Sequence, residues 1–305
     1  MIYDKYETRL NPGQMIRVIT DTDARNEADD QYAIVQTLLS PSFDNRGIIA
    51  AHYGTRKSPR SMQESFSEIT RILDLMNFDR DLAFPGADKA LSDAYTPVES
   101  EGARLIIREA MKEDERPLYV TFLGPLTDMA SALLMEPRIA GRLTCIWIGG
   151  NRYPHGGWEY NLENDIIAAN VVFRSNVALW QIPRNVYKKA VVSLIELESR
   201  VRPCGRIGRY LYDELIDFLH STEGSPLRHN TEYWCLGDSP AVGLLLYGHE
   251  FDYDWVPAPE FGSRMEYVHT GLNRPIRVYN DINERFVLED FFAKLKLFAQ
   301  SGENE

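Results

Sequence analysis

Five carboxylates fall within ten residues in the run Asp21-Thr22-Asp23-Ala24-Arg25-Asn26-Glu27-Ala28-Asp29-Asp30. Crowded carboxylates repel one another, and the repulsion is costly unless a cation or several hydrogen-bond donors offset it. Carboxylate oxygens favour hard cations such as calcium or magnesium over soft ones. A second reading is a solvated loop in which Asp29 caps a helix and Asp30 sits in its first turn, where the helix dipole favours an anion. Other polar loops punctuate the chain: Leu123-Gly124-Pro125-Leu126-Thr127-Asp128, Gly149-Gly150-Asn151, Trp158-Glu159-Tyr160-Asn161 and Leu236-Gly237-Asp238-Ser239-Pro240.

These loops need elements to hold them. Residues 15–20 read as a short buried strand, and 29–40 as a helix with Ala33, Ile34 and Leu38 on one side and Pro41 beyond its end. Strands are predicted at 47–52, 118–123, 143–148, 178–182 and 276–279. Helices are predicted at 61–76, 99–112, 126–135, 206–220, 239–247 and 284–299. A loop is expected from 149 to 164, with Asp165 capping a helix that runs to about 175. Strands separated by helices imply crossover units and a mostly parallel open sheet with helices on both faces, an α/β fold. No linker, repeat or low-complexity tract divides the chain, so 1–305 reads as a single domain, with additions within about 190–265 able to form a cap. In such sheets ligands bind beyond the carboxyl ends of the strands. The loops after residues 20, 123 and 148 and the entry to the helix at 239 are therefore the places to look.

Composition narrows the class. The 305 residues are 44% hydrophobic and 26% charged, which suits a soluble fold with a sizeable core. The net charge of −12 is repelled by phosphate backbones and argues against a nucleic-acid partner. No run of 18 apolar residues occurs and no apolar signal segment opens the chain, so neither membrane nor export is expected. Cys145, Cys204 and Cys235 lack Cys-x-x-Cys spacing, which fits a reducing cytoplasm.

Taken together, and in this order, the polar loops resemble the nucleoside hydrolase family, the inosine–uridine-type nucleoside N-ribohydrolases. The pattern there is a strand followed by Asp-x-Asp-Pro-Gly-x-Asp-Asp, then Gly-Pro-Leu-Thr-Asn, Gly-Gly with Glu-Phe-Asn, and His-Asp-Pro. Here it is met by Asp21-Thr22-Asp23 with Asp29-Asp30, by Gly124-Pro125-Leu126-Thr127, by Gly149-Gly150 with Glu159-Tyr160-Asn161, and by Gly237-Asp238. The resemblance implies hydrolysis of the N-glycosidic bond of a ribonucleoside, giving base and ribose, in a homodimer or homotetramer. It implies one calcium per chain, with magnesium the lesser fit, held by Asp23, Asp30, Asp238 and the Leu123 carbonyl. Asp29, Asn161 and Glu159 would hydrogen-bond the sugar. Asp23 would be the general base, in an inverting reaction without a covalent intermediate.

Three positions depart from the pattern. Five residues separate Asp23 from Asp29 where the family usually has three, so the loop must bulge and bring Asn26 or Glu27 towards the sugar. Gly237 stands where many members have a histidine that helps protonate a purine leaving group. Asp128 replaces an Asn. Candidates for a base pocket are His155, His229, Tyr233 and Trp234, which could protonate or stack on a nucleobase. An aspartyl-phosphate phosphotransferase would also use Asp21-Thr22-Asp23, but it leaves Gly-Pro-Leu-Thr and Glu159-Tyr160-Asn161 without a role. A sugar- or nucleoside-binding protein that keeps the calcium pocket but turns over little is the further alternative.

Overall fold

The computed structural model describes residues 14–221, 232–247 and 251–301. In chain order the elements are β1 (Ile16–Thr22), α1 (Asp30–Leu38), β2 (Phe43–Ala50), α2 (Ser61–Leu75), β3 (Ala83–Pro85), α3 (Glu101–Ala110), β4 (Leu118–Phe122), α4 (Thr127–Met135), β5 (Thr144–Ile148), α5 (Tyr160–Asn164), α6 (Ile166–Arg174), β6 (Ala178–Ile182), α7 (Arg184–Tyr187), β7 (Val191–Ser193), α8 (Leu194–Arg200), α9 (Gly205–His220), β8 (Tyr233–Cys235), α10 (Ser239–Leu246), β9 (Tyr253–Pro257), β10 (Glu260–Phe261), β11 (Tyr267–Val268), β12 (Pro275–Tyr279) and α11 (Glu284–Gln300).

The short apolar runs become strands because they are covered on both faces. The sheet order is β3-β2-β1-β4-β5-β6-β12-β9, parallel throughout except for β9, which runs antiparallel to β12 at the edge. Helices α3, α4 and α6 pack on one face through Ile106, Met129, Val172 and Phe173. The other face is covered by α1, α2, α9, α10 and α11, through residues such as Ile34, Ile72, Leu211, Leu244 and Phe291. Burying an aliphatic or aromatic side chain of this size contributes about 1.5–3 kcal/mol, so each layer gains by being continuous. Strand order reverses at β1: the chain steps outward through β2 and β3, then returns to β4 on the other side of β1. Such a reversal opens a crevice at the carboxyl ends of the two central strands.

The structure departs from the sequence reading in three places. The expected loop to Asn164 contains one helical turn, α5, because Glu159 caps it. Strands β3, β7 and β8, of three residues each, are too short to show a periodicity of their own, and β9 is a largely exposed edge strand without a buried apolar run. Within 190–265, β9 belongs to the main sheet while α9 and α10 belong to its helical layer. It is the antiparallel β7–β8 ribbon that stands over the carboxyl ends. Among the described residues no helix is long and apolar enough to cross a membrane.

Candidate active site

A cavity of about 400 Å³ opens at the switch point, lined by the ends of β1, β4, β5 and β6 and by the β7–β8 ribbon. Its floor is acidic. Asp29, Asp30 and Asp238 each offer a carboxylate oxygen, and these oxygens lie within 4.8 Å of one another. Asp23, from the turn after β1, is buried beside them with Oδ2 lacking any hydrogen-bond partner. Gly124 allows this approach, since a Cβ there would sit 3.1 Å from Asp23 Cγ.

The capping alternative for these acids does not describe their geometry. Asp29 and Asp238 both stand at helix N-cap positions, yet neither side chain makes a capping hydrogen bond. Asp29 Oδ2 instead accepts from the Gly237 amide at 3.1 Å, and Asp30 accepts from the Thr22 hydroxyl. Burial pushes Asp30 up to about 7, although hydrogen bonds from Thr22 and Asp238 oppose it. Burial, and then the fields of neighbouring acids, lift Asp23, Asp29 and Asp238 well above the ordinary carboxylate range. Carboxylates raised in this way bind protons that a cation would displace. A set of hard oxygens with an unpartnered buried member fits a hard divalent cation.

The other predicted residues divide by what they touch. Asn161 donates its amide to the Leu123 carbonyl at 2.7 Å and to the Ile148 carbonyl at 2.8 Å, joining the ends of β4 and β5. The Leu123 oxygen thus faces the site with one acceptor position in use. Glu159 was expected to bind sugar, but its carboxylate already accepts from four donors: the amides of Gly150, Asn161 and Leu162 and the Tyr187 hydroxyl. Four such bonds use a carboxylate's capacity, so Glu159, which lines the cavity, also organises the loop. Burial still raises its pKa against those donors. Asn26 lines the cavity with its side-chain oxygen held by Lys57 at 2.7 Å, and Glu27 lies on the same wall. Asp128 accepts from the Ala87 amide and the Ser100 hydroxyl. It also meets Asp21, whose fully buried carboxyl has no other partner among the described residues and whose pKa burial and Asp128 raise.

Tyr233 and Trp234 line the cavity, on β8, together with Trp158 and Tyr160. His155 does not: it is exposed on the loop after β5, away from the lining. His229 lies outside the described residues. Sequence reasoning missed Tyr187, Arg184 and Lys188. All three follow β6, a strand whose carboxyl end points at the same crevice as β1, β4 and β5, so the loop after residue 182 belonged among those to inspect. Tyr187 also accounts for Gly237. A Cβ at 237 would lie 3.1 Å from Tyr187 Cδ2 and 3.2 Å from Asp29 Oδ2, so a side chain there would crowd both neighbours.

Comparison with known proteins agrees with this arrangement. The family described as inosine-uridine preferring nucleoside hydrolase matches residues 18–284. The pyrimidine-specific ribonucleoside hydrolase RihA of Escherichia coli O127:H6 is 25% identical over 216 residues, which cover 62% of this chain and 67% of RihA. Among solved structures, the purine-preferring ribonucleoside hydrolase from Gardnerella vaginalis superposes with a TM-score of 0.75 at 18% identity, covering 94% of this chain and all of that one. The plant nucleoside hydrolase PpNRh1 gives 0.74 at 17% identity over 92% and 99% of the two chains.

Proposed function

The chain belongs to the inosine-uridine preferring nucleoside hydrolase family, and is thus a hydrolase acting on N-glycosyl bonds; from that premise we propose that it cleaves ribonucleosides or related ribosides to base and ribose with the help of one calcium ion. The observation that supports this reading is the buried acid floor, with the partnerless Asp23 Oδ2 beside Asp30, Asp238 and the Leu123 carbonyl. These four groups would hold the ion. When bound, a calcium supplies positive charge that orients the ribose hydroxyls and lowers the cost of ionising the acids around them.

The rest is the chemistry of the chain's own residues. Breaking the C1′–N bond builds positive charge on the sugar, and the Asp23, Asp29 and Asp238 carboxylates surround the place where that charge develops. Asp23 takes the proton of the attacking water as it closes on C1′. The Gly237 amide orients Asp29 towards the sugar, and Asn161 fixes the Leu123 carbonyl. The aromatic wall of Trp158, Tyr160, Tyr233 and Trp234 offers flat faces to the departing ring and limits water access. The β7–β8 ribbon acts as the cap of this single domain.

The test is reducing-sugar release from a panel of ribosides, with calcium supplied and then removed by chelator. Release that stops on chelation and returns with calcium supports the proposal. Tight nucleoside binding without any release would instead favour a binding protein that keeps the pocket.

A further inference from the structure

The cavity is acidic on its floor, but its wall carries two cations. Arg184 and Lys188 both line it, one at each end of α7. The Arg184 guanidinium lies 5.7 Å from the centre of the Trp158 ring, and the Lys188 ammonium 5.7 Å from that of Tyr187. Neither makes an ion pair among the described residues, although their neighbour Lys189 pairs with Asp281 at 2.6 Å. Burial works against the charge on Lys188, but the fields of Cys235, Glu27 and Asp29 outweigh it and hold the ammonium above the usual lysine range. No histidine lines the cavity among the described residues, and position 237 is a glycine with Tyr187 and Asp29 close against it.

Heterolysis of the glycosidic bond sends both electrons to the leaving atom. That charge must be met by a proton or by a fixed cation. Resting on the hydrolase reading above, we propose that Arg184 and Lys188 are catalytic residues that stabilise a base leaving as an anion, and that this chain favours ribosides whose leaving group is a stable anion. The electrons balance without a general acid: water adds its oxygen to C1′, Asp23 receives its proton, and the C1′–N pair departs with the base. The anion takes a proton from solvent after release. The same wall then suits phenolate leaving groups as well as acidic heterocycles, and uridine should be cleaved ahead of cytidine because cytosine is the weaker acid.

The experiment measures kcat with calcium present on dinitrophenyl, nitrophenyl and phenyl ribosides, for the parent protein and for Arg184→Met, Lys188→Met and Lys188→Arg. Loss of a fixed charge at a developing anion lowers kcat by about a hundredfold or more, so the Met variants should lose that much on phenyl riboside. They should lose little on dinitrophenyl riboside, whose leaving group needs no help. The dependence of rate on leaving-group acidity thus steepens, and Lys188→Arg restores the parent slope. A uniform loss across the three substrates would mean that the cations only balance the acid floor, and would overturn the inference. An unchanged slope would overturn it too and pass the role to a neutral donor such as the Tyr233 hydroxyl. A parent protein that releases ribose from nucleosides but cleaves none of the three overturns this inference alone, whereas one that releases no ribose from nucleosides either overturns the riboside-cleavage reading on which it rests.

Discussion

At the scale of single residues, Asp23 carries the sharpest expectation. Its Oδ2 is buried and unpartnered, and its turn is fixed by the Asn26 amide bonding back to the Asp23 carbonyl at 2.8 Å. Asp23→Asn keeps the shape but cannot accept a proton, so turnover should fall to background while circular dichroism and melting stay those of a folded protein. Parent rates in the variant would remove Asp23 from the role of base. Gly237 sets a second expectation. With glycine at 237 and no histidine in the described cavity lining, a leaving group that departs only when protonated gains no acid assistance, which is typically worth about 10²–10⁴ in rate. Nitrophenyl riboside should therefore react at least about a hundredfold faster than inosine at neutral pH. Equal rates on the two would show that some other group donates a proton.

At the scale of elements, Glu159 ties three of them together. Its carboxylate caps α5, receives the amide that follows β5 at Gly150, and is bonded by Tyr187 at the end of α7. Glu159→Ala leaves these buried donors without a partner, at about 1–3 kcal/mol for each that water cannot reach. Urea denaturation should report a loss of this order, and KM for the riboside should rise because Asn161 rides on the same turn. Stability equal to the parent would mean that water replaces the carboxylate. The same element shows where a sequence is legible and where it stops. The strands at 178–182 and 118–122 and the cap at Asp165 could be read because buried β-branched runs and capping acids act locally. Glu159 read only as a sugar contact, since nothing within its own loop announces that Tyr187 reaches it from beyond β6. Tyr187, Arg184 and Lys188 escaped for the same reason. A short polar run after a strand becomes a cavity wall only once neighbouring strands set its direction.

At the scale of the whole molecule, the acid floor links folding to both pH and metal. An unfolded carboxylate titrates near 4, whereas burial holds Asp30 at about 7 in the folded chain. Between those values the metal-free folded state binds more protons than the unfolded one, so its stability declines as pH rises through that window. The proposed cation would take the place of those protons. Added calcium should therefore raise the melting temperature more at pH 8 than at pH 5.5, as differential scanning calorimetry can measure. A shift independent of pH would mean that the floor is already ionised without metal. Elemental analysis of protein purified without chelator should find one divalent ion per chain, and a chain that takes up no calcium at millimolar concentration would contradict the proposed site.

The order of the strands also has a consequence in time. Asp23, Asp30, Leu123 and Asn161 all precede β6, whereas Asp238 follows it and β12, the strand that covers the β6 edge, comes later still. Chains are synthesised at about 5–20 residues per second, so the interval between making Asp165 and Asp238 is roughly 4–15 s. Through that interval a nascent chain can hold an assembled parallel sheet with three acids unanswered on its floor and one long edge open to any passing strand. Ribosomes that stall or terminate early in this stretch would release a protein that has most of its central sheet but lacks Asp238 and β12, and is prone to pair with its neighbours. Newly made copies are thus most in need of a chaperone just before the last quarter of the chain emerges.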